Sequence, residues 1–203
     1  MAEAHDDDQW VVNVGPLEVV LRPSLGSGAF GTVYKATKNN GAEKYAVKEI
    51  PLRDPTGMNT KLYQMAQDEI GTMMKLQSHP NIVKVVENFT KRNSLWIVME
   101  MCDGDLRKYL EENENLSLFQ QTDLMHQSAS ALSFMHSQSP PIVHRDIKLH
   151  NILTTKKKEK LVLKICDFGF AKFYDDKRGT SYSAAFKHNP ICLLYTSPSP
   201  RDS

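Results

Sequence analysis

The first half of the chain is written in short β-branched runs. LEVVL at 17–21, GTVYKAT at 31–37 and EKYAVKEI at 43–50 are separated by Gly, Asn and Pro, which predicts three strands. Asn39-Asn40-Gly41 is a turn signal between the second and third. The period then changes. From Thr60 to Leu76, Leu62, Met65, Ala66, Glu69, Ile70, Met73 and Met74 recur near helical spacing, so a helix is expected there. Gly71 inside it costs about 1 kcal/mol relative to Ala. IVKVVENF at 82–89 and SLWIVMEM at 94–101 read as two more strands. DLRKYLEEN reads as a short helix with Asp105 near its start. SLFQQTDLMHQSASALSFMHSQ at 117–138 reads as a long amphipathic helix ended by Pro140 and Pro141. Its expected core positions are Leu118, Leu124, Met125, Ala131, Leu132 and Met135. LVLKIC at 161–166 is strand-like again. The order is a strand-rich piece with one helix, then a helix-rich piece, joined near residues 101–104.

Composition narrows the class. With 203 residues and 40% hydrophobic content the chain can bury a core. The net charge of +1 does not suit a nucleic-acid or membrane-surface binder, and neither partner is expected. Cys102, Cys166 and Cys192 are odd in number and scattered, which argues against a disulfide framework or a zinc site. The start, MAEAHDDDQW, is acidic and lacks the apolar stretch of a secretory signal. A reduced, cytoplasmic setting is expected, with nuclear access open.

Four motifs carry chemistry. LGSGAFGTVY at 25–34 places Gly26, Gly28 and Gly31 between two strands. Such glycines can simply close a tight hairpin, or they can let backbone amides approach phosphates. AVKEI at 46–50 puts Lys48 on a mid-sheet strand, where an ammonium needs a partner. Glu69 on the following helix is the best-placed acid, and Asp68 competes. HRDIKLHN at 144–151 gathers Asp146, Lys148 and Asn151 in one short loop after the long helix. Asp146 can accept or orient a hydroxyl proton, Lys148 can neutralise phosphate charge, and Asn151 offers an amide oxygen to a metal. DFG at 167–169 follows a strand, and Asp167 is a hard oxygen ligand suited to Mg²⁺.

In this order and spacing the motifs resemble the eukaryotic protein kinases, over about Leu17 to Thr180. The resemblance implies an α+β bilobal fold. The small β-rich N-lobe with one helix would span 17–101, after a polar tail at 1–16. A partial helical C-lobe would span 102–191. It implies ATP and Mg²⁺ as cofactors and a protein serine or threonine as substrate. Lys48, held by Glu69, would position phosphates. Asp146 and Lys148 would act at the transferring group, and Asn151 and Asp167 would hold the metal. Leu25, Gly26, Ser27, Gly28, Ala29, Phe30 and Gly31 would cover the nucleotide. Val33 and Ala46 would pack the adenine from above and Leu153 from below. Met99 would be the gatekeeper, and Glu100 to Cys102 the hinge. His144 and Phe168 would join an internal hydrophobic spine. Lys148, two residues after Asp146, is the serine/threonine pattern. Arg145 before Asp146 resembles kinases switched on by an upstream activating kinase, with Thr180, Ser181, Tyr182 and Ser183 as the sites. Met101, CDGDL and DFGFAK resemble the calmodulin-dependent and autophagy-initiating branches. Leu149 departs from the usual proline, and CDGDL has one glycine where a pair is common.

KKKEK at 156–160 reads as a solvated turn between two strands, or as a nuclear signal. His79 and His136 are expected to be structural. Cys166, just before Asp167, reads as a small buried hydrophobe. Past the DFG region no APE-like closing motif follows. Back-translated, CLLYTSPSPRD at 192–202 resembles the transposase adapter of sequencing-library preparation, so 192–203 is expected to be an assembly scar. An alternative reading follows from that end: an incomplete, catalytically incompetent kinase that only binds nucleotide or a regulator.

Overall fold

The structure is a computed structural model that describes residues 11–14, 16–28, 31–54, 57–58, 60–91, 93–158 and 160–173. The chain divides into two compact units, Met1–Gln77 with Val83–Cys102, and Ser78–Ile82 with Asp103–Ser203. Along the chain the main passage from the first unit to the second falls between Cys102 and Asp103. The five residues Ser78–Ile82 of the first half belong to the second unit.

The first unit is a seven-stranded antiparallel sheet. β1 (Val11–Val14), β2 (Leu17–Val20), β4 (Gly31–Lys38), β5 (Glu43–Pro51), β9 (Ser94–Glu100) and β8 (Val85–Lys91) lie side by side in that order, and β3 (Gly26–Gly28) pairs with β4. A two-stranded ribbon, β6 (Arg53–Asp54) with β7 (Gly57–Met58), leads to helix α1 (Thr60–Leu76). β1 corrects the expectation of a polar tail through residue 16: VVNV is short, but it pairs residue for residue with β2 and buries Val14. β8 begins at Val85 rather than Ile82, because Ile82 bridges to Ile165 in the second unit.

Alternation along the strands builds two cores. One face of the sheet buries Val14, Leu17, Val19, Ala36, Val47, Trp96 and Val98. The other buries Ile50, Leu95 and Ile97 against Ala66 and Ile70 of α1, with Leu52. On α1 the stripe Ala66, Glu69, Ile70, Met73 is buried, whereas Met74 turns out to solvent and Leu76 takes the last core position. Asn39, Asn40 and Gly41 all have positive φ, the backbone that a tight hairpin turn demands, so the NNG signal marks a real turn.

The second unit holds the sheet β10 (Gly104–Asp105), β12 (Ile152–Lys157), β13 (Lys160–Ile165) and the pair β11 (Ile142–Val143) with β14 (Lys172–Phe173). Its helices are α2 (Leu106–Glu112) and α3 (Leu118–His136), and a 3-10 turn spans Leu149–Asn151. Asp105 caps α2 by accepting from the Lys108 amide at 2.9 Å. Ser117 and Gln120 form a reciprocal capping box at the start of α3. Leu106, Leu124, Ile152 and Leu163 make the core between α2, α3 and the sheet.

α3 corrects two expected core positions. Leu118 is 81% exposed and Met125 73% exposed. Leu124, Gln127, Ala131 and Met135 form the buried stripe. At about 100° per residue, Leu118 and Met125 fall a quarter-turn or more away from it. Gln127 takes a core place because all its polar capacity is used. Its Oε1 accepts from Asn81 Nδ2 at 2.8 Å and from the Leu163 amide at 2.9 Å. Its Nε2 donates to Asp123 and to the Leu161 carbonyl. Asn81 also donates to the Leu163 carbonyl, so Ser78–Ile82 is bound to α3 and β13. His79 is structural, as expected: it bonds Ser130 and the Asn81 amide and stacks on Phe134.

Candidate active site

In the first unit, the glycine motif is the hairpin β3–β4, with Gly26 opposite Val33, Ser27 opposite Thr32 and Gly28 opposite Gly31. Leu25, half-exposed, donates its amide to the Val33 carbonyl. Ala29 and Phe30, at the tip, lie outside the described residues. Among the described residues, and apart from its chain neighbours, a β-carbon added at Gly26 or Gly28 would meet no atom within 4 Å. The backbone there is open to a ligand.

Lys48 lies on the α1 side of β5, one alternation from Ile50. Glu69 sits on the buried stripe of α1. Lys48 Nζ donates to both Glu69 carboxylate oxygens, at 2.7 and 3.0 Å, and both residues are buried. The competitor Asp68, one residue away and exposed, accepts from Gln64 instead. In the antiparallel register Val33 lies opposite Lys48, and Ala46 opposite Met99. Direct partners share a face, so Val33, Ala46, Lys48 and Met99 line one side of the sheet. At the end of β9, the Glu100 amide is bound to the Lys84 carbonyl and its carboxylate to the Lys84 amide. Met101 and Cys102, the expected hinge residues, follow directly after the strand.

In the second unit, Asp146 is the centre of a short network. Lys148 Nζ donates to Asp146 Oδ2 at 2.8 Å. Asn151 Nδ2 donates to the Asp146 carbonyl and to Oδ2, both at 2.9 Å. The Asn151 amide nitrogen is thus committed to Asp146. The hydrogen bond that the Lys148 ammonium donates to Asp146 holds its pKa above the ordinary value, against weaker desolvation.

His144 connects this loop to the DFG segment. Its Nε2 donates to the Cys166 carbonyl at 2.9 Å, and its Nδ1 accepts from the Asp146 amide. One donor and one acceptor describe a neutral ring. Burial pushes its pKa down, opposed by the Cys166 carbonyl and the nearby carboxylates of Asp167 and Asp146. The ring lies 4.9 Å from that of Phe168, and both are buried, so the expected spine pair is together. Cys166 is half-buried, with Sγ 3.5 Å from the Asn151 carbonyl. Leu153 is half-buried on β12, opposite Asp105. Arg145 and Asp167 both have positive φ, at 67° and 62°. Such backbone costs roughly 1–3 kcal/mol for non-glycine residues and clusters at functional sites. Arg145 donates to the Phe170 carbonyl. Thr180, Ser181, Tyr182 and Ser183 lie outside the described residues, as do 192–203.

Sequence reasoning gave His144 a packing role and missed its two hydrogen bonds. The HRD–DFG order held the signal, since a histidine beside both segments can bond both.

The fit to Mg²⁺ and ATP rests on these donors. Asn151 Oδ1 and the Asp167 carboxylate are hard oxygens of the kind Mg²⁺ takes, and these two residues would hold the metal. The open backbone at Gly26 and Gly28 and the Lys48 ammonium suit phosphates.

Comparison with known proteins agrees. The family model for the protein kinase domain matches residues 20–198. The chain is 35% identical over 180 residues to the serine/threonine-protein kinase atg1 of Dictyostelium discoideum, covering 87% of this chain and 26% of that protein. It is 35% identical over 174 residues to serine/threonine-protein kinase 36 of Pongo abelii, covering 86% and 12%. It is 32% identical over 169 residues to the serine/threonine-protein kinase fused of Drosophila melanogaster, covering 83% and 20%. The chain thus spans about a quarter or less of the length of these relatives. With the motifs standing in the geometry above, the chain belongs to the protein kinase domain family, on its serine/threonine side.

Proposed function

We propose that this chain transfers the γ-phosphoryl group of ATP to serine or threonine hydroxyls of proteins. The observation that carries the reading is the Asp146 network, in which one carboxylate is oriented by Lys148 and Asn151 together. Bound Mg–ATP would supply the electrophilic phosphorus and neutralise its charge. Asp146 orients the acceptor hydroxyl and takes its proton. Lys148, kept protonated by Asp146, offsets charge on the transferring oxygens. Asn151 and Asp167 would hold the metal. Lys48, fixed by Glu69, would hold phosphate oxygens. Val33, Ala46, Met99 and Leu153 are each assigned to the base, which Cys102 would hydrogen-bond through its backbone. Arg145 supports control by an upstream kinase acting near Thr180–Ser183. A cytoplasmic setting fits the absence, among the described residues, of a helix long and apolar enough to cross a membrane.

The test is radiolabelled phosphate transfer from ATP to a generic protein substrate. Asp146→Asn should lower turnover by about 10²–10⁴ while sparing nucleotide binding, and Lys48→Met should abolish transfer. Near-normal turnover in Asp146→Asn would refute the assigned role. Nucleotide binding without any transfer by the unaltered chain would mark a binding module instead.

A further inference from the structure

Among the described residues, three hairpins place non-glycine residues at positive φ, and two of them obey the usual preference. Asn39 and Asn40 turn β4 into β5, and Asn93 turns β8 into β9. The third breaks it: Lys158, φ 46°, turns β12 toward β13. Among the described residues, Lys158, Arg145 and Asp167 are the positive-φ positions held by neither Gly nor Asn. The other two belong to the catalytic motifs. A second irregularity lies beside it. Lys157 and Lys160 are direct partners across the strands, and like charges so placed repel. Lys156, Lys157, Lys158 and Lys160 are all exposed. KKKEK carries four lysines and one glutamate, +3 in five residues, whereas the whole chain carries +1. Among the described residues, the ion pair reaching this run is Lys160–Asp123, at 3.7 Å and solvent-facing. Asn fills the other two turns, and here Lys takes the position while two lysines oppose each other. Places where local rules fail together are where functional or strained surfaces are expected.

We infer that the β12–β13 hairpin tip is a docking site for an acidic, extended segment of a partner protein. The tip is two strands wide, roughly 5 Å, so its ammonium groups suit carboxylates or phosphates spaced along one chain. A flat anionic membrane fits less well. Asp123 stands beside Lys160, and the Asp103 carboxylate accepts from the Lys156 amide at 2.9 Å, so the positive charge is confined to a narrow tip and not spread over a face. The inference goes beyond phosphoryl transfer and stands whether or not the chain is active.

The test uses the full chain and a fluorescein-labelled oligoglutamate peptide, followed by fluorescence anisotropy. Binding should occur, fall with added salt, and weaken by roughly tenfold or more when Lys156, Lys157 and Lys158 are all changed to Glu. Lys158→Asn should raise the melting temperature, by relieving the backbone, while weakening binding. Affinity unchanged within about twofold in the triple variant overturns the proposal. So does binding to equimolar phosphatidylserine–phosphatidylcholine vesicles with none to the peptide, which would assign the tip to membranes. A melting temperature that does not rise in Lys158→Asn removes the strain on which the inference stands.

Discussion

The Glu49 carbonyl oxygen lies 2.0 Å from the point a β-carbon on Gly31 would occupy. Gly31 also has φ +144°, a backbone that side chains rarely adopt. The third glycine of the motif is thus fixed by backbone pressed on backbone. Gly31→Ala should destabilise the first unit by about 1–3 kcal/mol and weaken nucleotide binding. Gly26→Ala, where no described residue beyond its neighbours lies within 4 Å, should leave the melting temperature nearly unchanged. Thermal melts of the two variants side by side check this.

The Lys48–Glu69 pair predicts an asymmetry. Lys48→Met leaves a buried carboxylate beside an apolar chain and should cost about 3–5 kcal/mol. Adding Glu69→Leu should recover much of that loss while activity stays absent. Urea unfolding of the single and double variants measures the coupling. Additive losses would show that the pair does not act as a unit.

His144 and His79 set an acid limit. Burial lowers the pKa of both, with the Lys164 charge adding to the effect at His79. A depressed histidine pKa favours the neutral ring in the folded state. Its stabilisation is therefore complete above the unfolded value near 6.5 and declines as pH falls below it, where the unfolded chain takes up protons first. Each group can contribute a slope of at most about 1.4 kcal/mol per pH unit. Urea midpoints should fall between pH 7.5 and 5.5, and less steeply in His79→Gln. A midpoint independent of pH over that range would contradict the neutral rings.

Gln127→Leu keeps the size of the side chain and removes four hydrogen bonds. It orphans the buried Leu163 amide and part of the Asn81 amide group. Each orphaned group costs about 1–3 kcal/mol. The second unit should melt earlier, and amide exchange at Leu163 should accelerate.

The chemistry of this chain was legible because it is contiguous. Asp146, Lys148 and Asn151 sit within six residues, so a loop of almost any shape brings them together. Packing was less legible. On α3, apolar residues occur all round, and the buried stripe is chosen partly by a glutamine whose value appears only once Asn81 and Leu163 are beside it. Glu69 and Asp68 differ by one helical step, and only the partners of Ala66 and Ile70 decide between them. β1 was hidden by its brevity: four residues carry too little pattern to stand out from a polar tail.

The Asn39-Asn40-Gly41 turn sets more than a bend. It fixes which residue of β5 faces which residue of β4, down to Val33 against Lys48 at the far end. Side chains alternate with every residue, so a slip of one position would turn Lys48 to the Trp96 side and offer Val47 to Glu69. An insertion at the turn that shifted this register, and did not simply lengthen the loop, would part Lys48 from Glu69 without touching either. A surface loop, seven residues from Lys48, thus helps decide the lysine's partner.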